Sequence, residues 1–268
     1  MKAYKLFLPL LFLITACDSS ESSTSSPSLP AAQVPSYDFS NSTNLPIPNN
    51  VNSQEYKVLL YGNSHIAGLS KIIKTFVETA IPNKTIQLES ASSQLYLEER
   101  LYDGTSINFL KEKNWTHVIF QAQKYSQSGQ VDYPIDGAKK WVQLTKVQKA
   151  TPILFPEHPQ KGNLTEGSMV HKIHTRIASQ ESSCVAPIGL TWDQALRLKP
   201  ELKLHNPDGN HASKVGRFLT ALVFYQIITG NSADLMPYID NLGVSPEIQG
   251  FLGQMASQII AENPACDY

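Results

Sequence analysis

The amino-acid sequence predicts an α/β fold, a three-layer α/β/α sandwich built on a five-stranded parallel sheet. From Tyr56 onward, five short apolar runs alternate with longer segments whose apolar residues recur every three or four positions. Short apolar runs are typical of strands buried on both faces of a parallel sheet, and the longer period is typical of amphipathic helices. Since no internal repeat and no Walker or Gly-x-Gly-x-x-Gly motif occurs, we expect one continuous domain.

The elements follow in order along the chain. The predicted strands cover residues 57–61, 85–88, 117–121, 152–155 and 184–187. The predicted helices cover residues 66–80, 135–149, 166–180, 214–229 and 246–262. Because strand–helix–strand crossovers are right-handed, these helices cover both faces of the sheet, with the last two at the C-terminus. Ligands of such sheets bind beyond the carboxyl ends of the strands.

The first residues are predicted to be a secretory leader. Two lysines precede an apolar run over residues 6–14, which is too short to be a stable membrane anchor. The run ends in Ile14-Thr15-Ala16-Cys17, which resembles the lipobox of bacterial lipoproteins. We therefore expect a signal peptide over residues 1–17, lipidation of Cys17, and anchoring in the bacterial cell envelope at the periplasmic face of the inner or outer membrane. An ordinary secretory signal cut nearby is the alternative.

A tether is expected between the lipid anchor and the folded domain. Residues 18–54 are rich in Ser, Pro and Asn. Such a stretch has too few apolar residues to offset the entropy of ordering, so it is predicted to be disordered. The folded domain is then expected to cover residues 55–268.

Two cysteines, Cys184 and Cys266, remain once Cys17 is assigned to lipid. In an oxidising compartment we expect them to form a disulfide that joins the C-terminal tail to the core. Two unpaired thiols are the alternative.

Charge and histidine spacing argue against two other classes of partner. The formal net charge is -1 and the basic residues are scattered, so no basic stripe indicates a nucleic-acid partner. His171 and His174 lie three residues apart, but no third ligand at a fitting spacing accompanies them. No metal site is therefore predicted.

Two short motifs carry the chemistry. Ser64 follows an apolar run that breaks at Gly62, and Asp208 stands three residues before His211. A serine becomes a nucleophile only beside a base, and the base needs a group that fixes its tautomer. Both motifs follow predicted strands, so they are expected to meet on one rim of the sheet as nucleophile, base and orienting acid. The alternatives are a helix-capping Ser64 and a solvated, capping turn at Asp208.

These motifs, Gly62-Asn63-Ser64 and Asp208-Gly209-Asn210-His211, resemble the first and last sequence blocks of the SGNH, or GDSL-like, hydrolases. The resemblance covers about residues 57–230 and is to the branch with a Gly-Asn-Ser first block and a glutamine-rich third block. It implies a flavodoxin-like sandwich that hydrolyses small esters, commonly acetyl groups on carbohydrate. It implies no metal and no cofactor.

The resemblance also implies donors for the oxyanion, although two blocks differ here. The family's second-block glycine corresponds to Ser92 or Ser93, and its third-block asparagine corresponds to Gln123 or Gln121. These groups, with the Ser64 N–H, are expected to hold the tetrahedral oxyanion. The alternative for the glutamines is that they satisfy backbone groups at the strand end.

Three further residues are expected on the rim. His65 follows Ser64, and Glu157 and His158 follow the fourth strand, so all three are predicted to contact substrate. The sequence as a whole predicts a lipid-anchored serine esterase of the envelope that acts on an acylated carbohydrate. A degenerate carbohydrate-binding lipoprotein and a lipid esterase, such as a lysophospholipase, are the alternatives.

Overall fold

The computed structural model describes residues 43–268. Within them, five strands form a parallel sheet of order β2-β1-β3-β4-β5, which confirms the predicted fold class. The strands are β1 (Glu55–Gly62), β2 (Thr85–Ser92), β3 (His117–Phe120), β4 (Thr151–Leu154) and β5 (Cys184–Val185). The predicted signal peptide over residues 1–17, with Cys17, and the predicted tether up to residue 42 lie outside the described residues.

Helices cover both faces of this sheet. They are α1 (Leu69–Ala80), α2 (Leu97–Arg100), α3 (Ser106–Lys111), α4 (Asp136–Val147), α5 (Glu166–Gln180), α6 (Ile188–Leu198), α7 (Lys214–Thr229) and α8 (Pro246–Glu262). The five predicted helices are present, whereas α2, α3 and α6 were not predicted. The first two are too short to show a helical period. None of the helices in the described part of the chain combines the length and apolar character that a membrane span requires.

The first helix begins later than predicted. Residues Ser64–Ile66 form a separate 3-10 turn, and α1 starts only at Leu69. Between them Gly68 has φ 78°, a left-handed conformation that interrupts the helical path. The predicted start of this helix at residue 66 is therefore wrong, and the 3-10 turn and Gly68 separate the amino end of α1 from Ser64.

The side chains of β1 explain why its sequence is a continuous apolar run. Val58 and Leu60 are buried in one core with α1, α6, α7 and α8. Leu59 and Tyr61 are buried in the opposite core with the helices α2 to α5. Because alternate side chains of a strand point to opposite faces, a strand covered on both sides must be apolar at every position.

The last residues of the predicted tether contact the folded domain. The Lys146 ammonium donates to Asn44 Oδ1 and to the Leu45 carbonyl, at 2.7 Å each. The Thr151 hydroxyl donates to the Pro48 carbonyl at 2.5 Å. Residues 44–48 are thus bound by polar groups of α4 and β4.

The predicted disulfide is present. Cys184 in β5 and Cys266 are bonded, with 82 residues of sequence separation. The Val185 N–H also donates to the Ala265 carbonyl at 2.7 Å, so the tail lies along β5. The bond joins the C-terminal tail to β5, an edge strand of the sheet.

We predict that Cys266→Ser destabilises the domain. Removing the cross-link restores the chain entropy of a long loop, which is worth up to about 4 kcal/mol. Thermal unfolding without reductant should therefore show a lower Tm for Cys266→Ser than for the wild type. With a strong thiol reductant the two melting curves should converge, and equal Tm values without reductant would contradict the prediction.

Candidate active site

The three residues predicted to form a nucleophile, base and acid lie together at the carboxyl ends of the strands. Ser64 Oγ is 2.8 Å from His211 Nε2, although the two residues are 147 positions apart. His211 Nδ1 is 2.7 Å from Asp208 Oδ2. With the Nδ1 proton donated to Asp208, Nε2 is left as the acceptor for the serine hydroxyl.

The loop that carries His211 is held by its own aspartate. Asp208 Oδ1 accepts the backbone N–H groups of Asn210 and His211, each at 2.9 Å, while Oδ2 faces the imidazole. The His211 backbone N–H, the His211 side chain and the Asn210 N–H together lower the pKa of Asp208 to about 2. The carboxylate therefore stays ionised at neutral pH, and Asp208 both caps the turn and orients the base.

Ser64 is free of the capping role considered as an alternative. Asn63 performs it, since Asn63 Oδ1 accepts the His65 N–H at 3.1 Å. The N–H groups of Ile66 and Ala67 bond to the Asn63 and Ser64 carbonyls. Among the described residues, the Ser64 N–H is thus the one amide of this turn without an acceptor, and the Ser64 side chain is exposed.

The peptide bond between Gly62 and Asn63 is held at both ends. Its carbonyl accepts from the Ser93 N–H at 2.9 Å and from Arg100 Nη2 at 2.8 Å. Its N–H donates to Gln121 Oε1 at 2.8 Å. Arg100 Nη2 also donates to the Ala91 carbonyl at 2.8 Å, so this buried guanidinium ties the ends of β1 and β2 together.

This arrangement overturns three of the predicted oxyanion donors. The Ser93 N–H is already bonded to Gly62. Gln121 Nε2 donates to Glu157 Oε2 at 2.6 Å, and Gln123 Nε2 donates to the carbonyls of Lys124 and Pro134. The glutamines satisfy protein groups, as in the alternative considered from the sequence.

Backbone geometry explains why the two glutamines diverge and why Ser92 is not aimed at Ser64. Ala122 has φ 78°, so the chain turns sharply between Gln121 and Gln123. Successive N–H groups of a strand point to opposite sides. Because Ser93 N–H faces β1, that of Ser92 faces the open edge of β2, the outer strand of the sheet.

The three predicted substrate contacts have different surroundings. The His65 ring stacks on His211 with centroids 5.2 Å apart, so it is part of the site. His158 is 4% exposed, stacks on Trp192 at 4.0 Å and lies 2.9 Å from the Asn210 carbonyl. Burial lowers the pKa of His158 to about 3, so it is a neutral support for the His211 loop. Its predicted contact with substrate is wrong for this reason.

Glu157 is half-buried and bonded on both oxygens. Oε2 accepts from Gln121, and Oε1 is 2.9 Å from the Tyr125 hydroxyl, which also lies 2.9 Å from Glu166 Oε1. Burial and these two carboxylates raise the pKa of Tyr125, so the phenol stays protonated. The sequence did not single out this network or Arg100, because neither belongs to a local motif.

Two cavities flank the strand ends. One of about 590 Å³ adjoins Ser92 and Ser93. The other, of about 520 Å³, adjoins Asn63 and has mostly polar walls. Its lining includes Tyr96, Gln123, Tyr125, Ser126, Gln127, Ser128, Tyr133 and Glu157. This second cavity thus includes Asn63, the residue directly before Ser64.

Comparison with known proteins identifies relatives by fold. No protein-family profile and no curated protein sequence matches the chain. A DUF4886 family protein from Bacteroides uniformis has a TM-score of 0.62 at 15% identity, covering 80% of this chain and 97% of its own. A protein assigned to the SGNH hydrolases, from Slackia heliotrinireducens, has a TM-score of 0.53 at 16% identity, covering 65% and 99%. At these identities the likeness shows that the chain has the α/β fold of SGNH hydrolases.

Gly62→Ala should destabilise the protein. A Cβ there would lie 2.5 Å from Ile66 Cγ2 and 2.7 Å from Gln121 Oε1. Overpacking of this kind costs about 1–3 kcal/mol. The matched control is Gly250→Ala in α8, where a Cβ meets nothing within 4 Å and helix propensity improves. Thermal unfolding should show a lower Tm for Gly62→Ala and an equal or higher Tm for Gly250→Ala; equal values for Gly62→Ala and wild type would refute the expectation.

Proposed function

We propose that this protein is a serine ester hydrolase of the SGNH type. The observation that supports the proposal most strongly is the continuous hydrogen-bonded series from Ser64 Oγ through His211 to Asp208. A hydroxyl, an imidazole and a carboxylate in this order make up an acyl-transfer site. The exposure of Ser64 leaves room for an ester carbonyl to approach.

The proposed reaction has two stages. Ser64 Oγ attacks the carbonyl carbon while His211 Nε2 takes the hydroxyl proton, and Asp208 stabilises the resulting imidazolium. His211 then gives that proton to the leaving alkoxide, which departs as an alcohol and leaves an acyl-serine. A water then attacks the acyl carbon and gives a proton to His211. The bond from that carbon to Ser64 Oγ breaks, the acyl group leaves as a carboxylic acid, and His211 returns the proton to Ser64 Oγ.

The Ser64 N–H is the donor we propose for the developing oxyanion. It is the unpaired amide of the turn and belongs to the residue that carries the attacking oxygen. One missing oxyanion donor typically costs about a hundredfold to a thousandfold in rate. The protein is therefore expected to be a slower esterase than one with two or three aligned donors.

We propose an acylated carbohydrate as the substrate, with a short acyl group such as acetyl. The polar cavity beside Asn63 supports this choice, because hydroxyl, amide and phenol groups suit a polyhydroxylated alcohol better than a lipid chain. The rival lipid esterase would need an apolar channel next to Ser64.

Replacement of the nucleophile tests the proposal directly. Purified full-length protein in detergent should release p-nitrophenol from its acetate ester, and Ser64→Ala should lower kcat/KM by at least about a thousandfold. Ser70→Ala, a serine on α1 bonded to Ser90, is the matched control and should retain wild-type kinetics. Equal rates for Ser64→Ala and wild type would reject the mechanism.

Two further measurements separate the rival functions. A fluorophosphonate probe should label the wild type and not Ser64→Ala, whereas a carbohydrate-binding protein without catalysis would remain unlabelled. Rates on p-nitrophenyl esters should fall as the acyl chain lengthens, whereas a lipid esterase would prefer long chains.

We also propose that the enzyme is anchored to the cell envelope through lipid on Cys17. The motif Ile14-Thr15-Ala16-Cys17 supports this, and Cys17 lies outside the described residues. Labelled palmitate fed to expressing bacteria should enter the wild-type protein and not Cys17→Ala, which should leave the membrane fraction. Equal labelling of both would exclude the anchor.

A further inference from the structure

Gln121 is fully buried and forms two hydrogen bonds in opposite directions. Its Oε1 accepts the Asn63 N–H at 2.8 Å, and its Nε2 donates to Glu157 Oε2 at 2.6 Å. Gln121 comes directly after β3, and Asn63 directly after β1, so the side chain bridges the ends of neighbouring strands. The Gln121 side chain thus binds the backbone at Asn63, the residue directly before Ser64.

The two partners of Gln121 require the same orientation of its amide. The Asn63 N–H is a donor and needs the oxygen, whereas the Glu157 carboxylate accepts and needs the NH₂ group. A flipped amide would set NH₂ against N–H and oxygen against carboxylate. In the buried site each of these contacts would leave an unsatisfied polar group, which disfavours the flipped amide.

Glu157 is itself fixed on the far side. Its second oxygen contacts the Tyr125 hydroxyl, which also contacts Glu166 Oε1, and Glu166 Oε2 accepts the Gln160 N–H at 2.7 Å. No ion pair in the described part of the chain joins Glu157 to a cation. Glu157 therefore does not act as a surface salt bridge. Its side chain is one of those that line the polar cavity.

We infer that Glu157 is a positioning residue for the nucleophile. Its carboxylate orients the Gln121 amide, and Gln121 holds the Asn63 N–H so that Ser64 remains at hydrogen-bond distance from His211. This role is separate from the substrate contact predicted for Glu157 from the sequence, since Glu157 also lines the polar cavity. The inference rests on the proposed function, because ester hydrolysis at Ser64 is its first readout.

A double-mutant cycle tests the linkage. Glu157→Leu and Gln121→Leu, alone and together, are assayed as full-length protein with p-nitrophenyl acetate. Each single variant should lower kcat by about tenfold with KM changed less than about twofold, and the double variant should be no slower than the slower single. Glu157→Gln, which keeps an acceptor oxygen for Gln121, should stay within about threefold of wild type.

Glu78→Leu is the control for loss of a carboxylate elsewhere. Glu78 lies on the exposed face of α1, paired with Lys74, and its replacement should leave kcat unchanged. Thermal unfolding of every variant checks the fold. If the leucine variants do not fold, Glu157→Ala and Gln121→Ala take their places in the same cycle.

Hydrogen exchange of the Asn63 amide gives a readout that does not need hydrolysis. It should be faster in Glu157→Leu than in wild type, and unchanged in Glu157→Gln. Three results would each overturn the inference. They are a loss of kcat in the double variant equal to the product of the two single losses, a wild-type kcat in Glu157→Leu, and an unchanged Asn63 exchange rate in Glu157→Leu. An active Ser64→Ala protein would instead reject the proposed function, and the exchange data alone would then decide the linkage.

Discussion

The peptide bond between Gly62 and Asn63 is the constraint on which the candidate site depends. Its carbonyl and N–H are held by groups from β2, α2 and the end of β3, through Ser93, Arg100 and Gln121. A side chain at position 62 would collide with this set. The nucleophile therefore starts from a backbone that is bonded to three elements, and the 3-10 turn after it needs little further support.

His211, the proposed base, is held mainly by hydrogen bonds within its own loop. Asp208 binds the backbone of its own turn and the ring of His211 at once. Beneath this loop, His158 stays neutral, stacks on Trp192 and faces the Asn210 carbonyl. The hydrogen bonds of Asp208 within the loop hold its geometry. The sheet places this loop so that His211 Nε2 lies 2.8 Å from Ser64 Oγ.

The polar groups behind the site form a connected network. Gln121, Glu157, Tyr125 and Glu166 follow one another at hydrogen-bond distances. A connected polar network at low dielectric makes the structure around it more rigid when its groups are satisfied. The buried pair of Lys146, in α4, and Glu181 differs, because its cation also binds the segment at Asn44. The first network ends on the Asn63 N–H, next to Ser64, and the second binds the segment at residues 44–45.

The linear sequence was enough to predict five strands, five helices, the expected pairing of two cysteines, and the three residues Ser64, Asp208 and His211. Apolar periodicity, turn residues and the order of motifs depend on residues close together in the chain, so they can be recognised in the amino-acid sequence. It did not determine the roles of Gln121, Gln123, Ser93, Glu157 and His158, or the importance of Arg100. These roles emerge only from the fold, because a buried amide or carboxylate acts through whichever partner folding brings to it. Several of those partners are distant in sequence: Gln121 binds Glu157, 36 residues away, and Asn63, 58 residues away.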